Sequence, residues 1–272
     1  MPPSPNTFKQ MKSFFAAVML FTRLHLWRIV QVEKRHYASA LLYWPVVGFF
    51  TGATAWVVFY LASQVVTSIP ACILAIIARI GLTGALHEDG LADFCDGFGG
   101  GRDKESILRI MKDSHIGTYG VIGLIAYFFL YTTLLADLSS CLMPFTQIWG
   151  IFIGADVCAK FCTAVMVNSL PYARSEEESK TKVLYRKIRW QEFTLVGLVC
   201  LPVLWLLKAP FPALILPIVT VILFRCFLKR KIGGYTGDCC GATVLVAELS
   251  YYLGVALLFA IQLHASNFFG IR

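Results

Sequence analysis

Long apolar runs, more than any motif, limit what this chain can fold into. Seven stretches carry few charges: Tyr37 to Ala62, Ile69 to Leu86, Ile116 to Ala136, Cys141 to Leu170, Phe193 to Leu207, Phe211 to Phe224 and Gly241 to His264. Several approach the roughly 20 residues that a helix needs to cross a ~30 Å hydrocarbon core. A soluble protein of 272 residues would have no use for so many, and 57% of these residues are hydrophobic. Backbone polar groups must be satisfied internally in lipid, and the runs lack the two-residue alternation of a barrel strand. The expected fold class is therefore all-α: a polytopic integral membrane protein of about seven transmembrane helices. The fifth and sixth runs are short and contain prolines, so one broken hairpin is an alternative there. A shorter patch, Phe14 to Phe21, lies between Lys9 and Lys12 on one side and Arg23 on the other. It lacks a small-residue cleavage site and reads as an N-terminal interfacial helix.

Charge separates the connections into two kinds. Ser63 to Ser68, Asp137 to Ser140 and Lys208 to Pro210 are brief and nearly uncharged, whereas Arg23 to His36, His87 to His115, Pro171 to Gln191 and Arg225 to Asp238 hold most of the Lys and Arg. The positive-inside rule places those four basic segments in the cytoplasm of a multi-pass inner-membrane protein. The formal charge of +8 is thus assigned to membrane orientation, and no nucleic-acid partner is expected. The nine cysteines fall mostly inside apolar runs and read as small buried residues. No internal repeat or soluble domain is evident. One membrane-embedded domain, 1–272, is expected, with an interfacial helix and basic loop over 1–36 and polar segments over 87–115 and 225–240.

Within this apolar chain the segment His87-Glu88-Asp89-Gly90-Leu91-Ala92-Asp93-Phe94-Cys95-Asp96-Gly97 concentrates four acids. Asp89, Asp93 and Asp96 are spaced i, i+4, i+7, which on a helix puts them on one face. Three carboxylates there repel one another unless a hard cation intervenes. Mg²⁺ suits them, since it takes oxygen ligands and completes its shell with substrate phosphates. Asp89, Asp93 and Asp96 are the expected metal ligands, with Glu88 more peripheral. The alternative is a solvated acidic turn between two spans. Downstream, Gly99-Gly100-Gly101-Arg102, Arg109 and Lys112-Asp113-Ser114-His115 combine glycine backbone with cations, as phosphate binding requires; orientation alone also accounts for the cations. Gly233-Gly234-Tyr235-Thr236-Gly237-Asp238 reads as a tight turn entering a helix, with Asp238 near its N-terminus as a ligand group or a cap. Glu248 lies inside the last run, where an ionisable group is functional or paired. Asp156 and Lys160, at i, i+4, are expected to neutralise each other. Thr22-Arg23 could offer a guanidinium to phosphate or simply anchor the interface. Trp27 and Trp44 fit an aromatic belt.

Together these segments resemble the cobalamin synthase family, the adenosylcobinamide-GDP ribazoletransferases. The resemblance rests on Phe21-Thr22-Arg23, Pro45-Val46-Val47-Gly48, Thr83-Gly84, the acidic string, Ile110-Met111-Lys112-Asp113-Ser114 with Gly117, Tyr172-Ala173-Arg174, and Gly233 to Asp238 with Gly241-Ala242 and Glu248. It departs at Leu24-His25, where the family often has proline, at Lys160, where many members have arginine, and at Cys239-Cys240. It implies cobalamin nucleotide-loop assembly, in which α-ribazole or its 5′-phosphate attacks adenosylcobinamide-GDP and GMP leaves. Mg²⁺ is the implied cofactor. Catalytic roles would fall to Asp89, Asp93, Asp96 and His87, the last as a base or as plain packing. Substrate contacts would come from Arg23, Arg102, Lys112, Asp113, His115, Arg174, Thr236, Asp238 and Glu248. Membrane lipid is an expected partner, and a homo-oligomer or contact with other nucleotide-loop enzymes is left open. The acidic string is also similar to that of membrane CDP-alcohol phosphotransferases, although Asp93 stands where those enzymes have arginine. A transporter would instead favour acids at the midplane of repeats.

Overall fold

A computed structural model describes residues 5–141, 145–174 and 185–269. The middle of the basic connection Pro171 to Gln191, and residues 142–144 near the start of the fourth apolar run, lie outside the described residues. The chain is a bundle of helices: α1 (Pro5–Phe21), α2 (Lys34–Tyr37), α3 (Ala40–Ala62), α4 (Ser68–Thr83), α5 (Leu86–Gly100), α6 (Lys104–Ile110), α7 (Thr118–Cys141), α8 (Phe145–Ser169), α9 (Trp190–Leu206), α10 (Ile215–Lys231) and α11 (Gly237–Phe269). Among the described residues no strand forms; a single backbone bridge joins Tyr172 to Tyr235. The all-α multi-pass membrane architecture therefore stands.

By length and composition, the described residues give fewer spans than the seven expected. Five helices among the described residues are long and apolar enough to cross a membrane, at Ala40–Ala62, Thr118–Ser139, Ile148–Ser169, Phe211–Lys231 and Gly237–Gln262. The expected second span, Ile69 to Leu86, is instead half of a bent pair: α4 and α5 meet at 92° across a short break, and together make a sixth span at most. The expected fifth span is α9, whose 17 residues extend about 25 Å at 1.5 Å per residue, short of a full crossing.

The elbow between α4 and α5 has a local cause. Gly84 (φ 69°) and Ala85 (φ 57°) both sit in the left-handed region, which ends α4 and redirects the chain. Arg23 braces the bend, its backbone N–H donating to Leu82 O at 2.7 Å. The acids consequently lie on α5, a helix as their spacing predicts, folded back against the bundle.

The core is built around α8, which packs most extensively on α3 and also on α11. Thr51 of α3 joins the Asp156–Lys160 pair of α8, so the expected i, i+4 neutralisation is realised inside the bundle. Large apolar side chains left outside, such as Ile122 and Phe129 on α7, Leu195 and Leu198 on α9 and Ile222 on α10, suit a lipid environment. Trp27 is 60% exposed, as an interfacial anchor should be. Trp44 is only 2% exposed and stacks on Phe21 at 4.6 Å, so it is an interior wall and not part of an aromatic belt.

α5 and α11 cross at glycines. A Cβ on Gly90 would sit 2.9 Å from Asp238 O, and one on Gly241 would sit 3.0 Å from His87 O. This backbone contact places the start of α5 beside the start of α11. Gly241→Val is expected to force the helices apart at a cost of about 1–3 kcal/mol, with loss of activity. A lower melting temperature in detergent would register it, and a wild-type melting curve would show that the crossing tolerates the branch.

Candidate functional site

The α5–α11 crossing opens onto a cavity of about 190 Å³. His87 and Asp89 reach it from α5, Asp238 and Cys240 from α11, and Arg174 from the segment after α8. Two loops are tied together beneath it: Ala173 N–H donates to Tyr235 O at 2.9 Å, and Tyr235 N–H donates to Pro171 O at 3.0 Å. That ladder holds Arg174 opposite Asp238, 3.5 Å away. Thr236 fixes the start of α11 by accepting the Cys239 N–H at 3.2 Å. Phe21, Leu41, Trp44, Tyr172, Tyr185 and Tyr235 supply apolar and aromatic wall, suited to flat organic groups.

Among the described residues, two polar atoms at this cavity have no hydrogen-bond partner. His87 is 2% exposed, lies against Trp44 at 5.8 Å, and its Nε2 accepts or donates no hydrogen bond. Arg174 Nε is likewise buried and without a partner among the described residues, and its Nη2 makes long contacts, 3.4 Å to Leu108 O and 3.5 Å to Asp238 Oδ2. Buried polar groups are costly to leave this way, so both are suited to bonding with a bound molecule.

The four acids of the string divide by task. Asp89 is exposed to the cavity, and Asp93, one turn further along α5, is half-buried. Asp96 is turned to another use: its Oδ2 accepts the Gly117 N–H at 2.7 Å and its Oδ1 the Gly120 N–H at 2.8 Å, capping the start of α7. Glu88 accepts from Arg79 Nη2 at 3.3 Å. Among the described residues no group of three or more His, Cys, Asp or Glu side chains is placed to hold a metal ion. The expected set of Glu88, Asp89, Asp93 and Asp96 thus does not converge as a preformed cage. What the cavity offers, Asp89 with Asp238 nearby, fits a cation that takes one or two protein carboxylates and fills its shell with substrate phosphates and water, as Mg²⁺ does.

The other expected contacts scatter. Arg23 is exposed at the elbow, its side chain against Gly84, and does not line the cavity. Lys112 lines a neighbouring groove that also includes Arg174. Arg102 is exposed and does not line the cavity. Asp113 and His115 are exposed and bonded to each other at 2.7 Å, a hydrogen bond that holds the Asp113 carboxyl below the usual carboxylate range. Thr236 is fully buried. Glu248 does not reach the cavity lining: Arg79 Nη1 donates to it at 2.5 Å and Tyr131 Oη at 3.0 Å. Its expected place among substrate contacts gives way to a buried ion pair, for which its intramembrane position is equally apt.

Sequence reasoning passed over Arg79, the cation that holds Glu88 and Glu248 together. The signal was present, because an arginine inside an apolar run obeys the same rule that flagged Glu248. The aromatic walls Tyr172 and Tyr235 carried no such signal.

Comparison with known proteins gives a consistent result. Residues 13–256 match the family model described as cobalamin-5-phosphate synthase. A Shewanella amazonensis protein named adenosylcobinamide-GDP ribazoletransferase is 35% identical over 264 residues, covering 94% of this chain and 99% of its own length. Proteins of the same name from Vibrio cholerae and Leptospira interrogans are each 33% identical, over 90% of this chain and 93% and 94% of their own lengths respectively. No solved structure matches.

Proposed function

The chain belongs to the cobalamin-5-phosphate synthase family, and from that premise we propose that its cavity transfers the cobinamide-phosphate group of adenosylcobinamide-GDP to α-ribazole or its 5′-phosphate, releasing GMP. The observation that carries this reading is that His87, Asp89, Arg174 and Asp238, from three distant segments, meet in one aromatic-walled cavity.

A hydroxyl of the ribazole attacks the phosphorus on the cobinamide side of the pyrophosphate. The new P–O bond forms as the bond to the bridging oxygen breaks, and that oxygen leaves with GMP. His87 Nε2, which has no partner among the described residues, takes the hydroxyl proton. Arg174 offers its open N–H groups to the phosphoryl oxygens, where charge develops in the transition state. Trp44 packs beside the imidazole at a tilt, and Tyr172 and Tyr235 offer faces for a base or the corrin edge. Asp89, Asp93 and Asp238 would hold Mg²⁺, which when bound neutralises the pyrophosphate and the leaving group. Asp96 and Glu88 support the helix that presents these groups.

We place the cavity on the cytoplasmic side of the inner membrane. Lys229, Arg230 and Lys231 at the end of α10, and Lys104 beside the Gly233 turn, cluster at that end of the bundle. The test is GMP release by the purified protein in nanodiscs. Release is expected from adenosylcobinamide-GDP only when α-ribazole or its phosphate and Mg²⁺ are both present. CMP release from a CDP-lipid, with no corrinoid activity, would overturn the assignment.

A further inference from the structure

α9 and α10 follow each other in the chain but do not close on each other. α9 packs on α3 and α8, α10 packs on α8 and α11, and among the described residues no extensive contact joins α9 to α10. The cleft left between them over α8 is a cavity of about 440 Å³, with Phe161 on its floor, Leu201 on the α9 wall and Ile218 on the α10 wall. Apart from three cysteine thiols, every lining side chain is hydrocarbon, so the cleft offers a polar molecule no strong hydrogen bond. Gly197 helps to keep it open: a Cβ there would meet the Phe161 ring at 3.8 Å and nothing closer.

The turn joining the two walls ends the cleft. Leu204 of α9 and Leu214, just before α10, both line it, and between them Lys208 is exposed. Lys208 has φ 55°, the left-handed backbone that glycine or asparagine usually supplies after a helix. Hydrogen bonds hold it there, Lys208 N–H donating to Trp205 O at 3.0 Å and Ala209 N–H to Leu204 O at 2.9 Å. A lysine at that position strains the backbone, and the ammonium group is what glycine would not provide.

We propose that the cleft binds one membrane phospholipid, an acyl chain lying along α8 and the headgroup phosphate beside Lys208. Shape separates a chain from a helix. Val157 to Val165 is about 12 Å of α8, and 440 Å³ over that length holds a hydrocarbon chain but not a helix about 10 Å across, so a second copy of this protein does not fit. Charge supports the choice, because a phospholipid brings an anion to the end of the cleft where Lys208 stands. Close packing against the walls, and not transfer from water, supplies the attraction inside a bilayer. The bound chain takes the place of the missing contact between α9 and α10. This site shares no lining residue with the catalytic cavity and does not depend on the transfer reaction.

Native mass spectrometry of the delipidated full chain in detergent tests this, by titration with phosphatidylglycerol and with a diacylglycerol of the same chains. The wild type is expected to saturate with one tightly held lipid and to prefer phosphatidylglycerol about fivefold, as one lysine beside a phosphate gives. Lys208→Gly should erase that preference while melting no lower than the wild type in bare detergent, since glycine relieves the turn. Gly197→Phe, whose ring fills the open cleft, should weaken both lipids at least about tenfold and lose the rise in melting temperature that lipid gives the wild type. Equal wild-type affinity for the two lipids, or a Lys208→Gly protein that keeps the preference, overturns the headgroup assignment and with it the proposal. A Gly197→Phe protein that binds lipid as the wild type does also overturns it. So does a lipid-free wild-type dimer that Gly197→Phe dissociates, which would mark the cleft as an interface between copies.

Discussion

Asp89→Asn is expected to reduce GMP release by about a thousandfold in a protein that melts like the wild type. Asp89 stands on the cavity face of α5, and among the described residues its carboxylate makes no hydrogen bond or ion pair. Its loss therefore removes charge from the site and little from the fold. Asparagine keeps the shape, so a fall in rate reports the charge. Asp96→Ala supplies the contrast. Removing the carboxylate that accepts from Gly117 and Gly120 takes the cap from α7, a loss of about 1–2 kcal/mol. The two variants should thus separate, one losing rate at constant stability and the other losing stability first. Single-turnover GMP release and thermal unfolding in detergent measure both. Asp89→Asn protein working within about threefold of the wild type would remove Asp89 from the chemistry.

The split between these aspartates shows what the sequence could and could not reveal. Spacing of i, i+4, i+7 was enough to put Asp89, Asp93 and Asp96 on one helical face, because helix geometry is local. Which partner each meets is not local. Asp96 is claimed by amides more than 20 residues downstream, where Gly117 and Gly120 leave room for it. Five apolar runs were legible as spans because length against bilayer thickness is a one-dimensional test. The elbow was not, since the run Ile69 to Leu86 is continuous in hydropathy and Ala85 gives no sign of its left-handed backbone. The Asp156–Lys160 pair was readable at i, i+4, whereas Arg79 and Glu248 are 169 residues apart. The cavity itself required Tyr172 and Tyr235 to pair across two loops, a contact with no periodic trace.

Arg79→Met should be among the most damaging single substitutions in the bundle, although Arg79 does not line the cavity. Its guanidinium is 2% exposed and serves four helices at once. From α4, Nη1 donates to Glu248 of α11 at 2.5 Å, and Nη2 donates to Glu88 of α5 at 3.3 Å and to Tyr127 of α7 at 2.8 Å. Its charge also lies 5.1 Å from the centre of the Tyr131 ring. Methionine would fill much of the volume but leave two buried carboxylates without their cation, which costs about 3–5 kcal/mol when a buried pair is broken from one side. The consequence reaches the site because Glu88 lies between His87 and Asp89 on α5. Arg79→Lys keeps a charge but loses the planar fork, and should fall between wild type and Arg79→Met. The decisive comparison adds Glu88→Gln and Glu248→Gln to Arg79→Met. Removing the orphaned charges should recover much of the lost stability, whereas a purely steric role for Arg79 predicts no recovery. Melting temperature and monodisperse yield in detergent measure the series. If Arg79→Met melts with the wild type, or if the triple variant is no more stable than the single one, the buried charge latch is not what holds α5 in place.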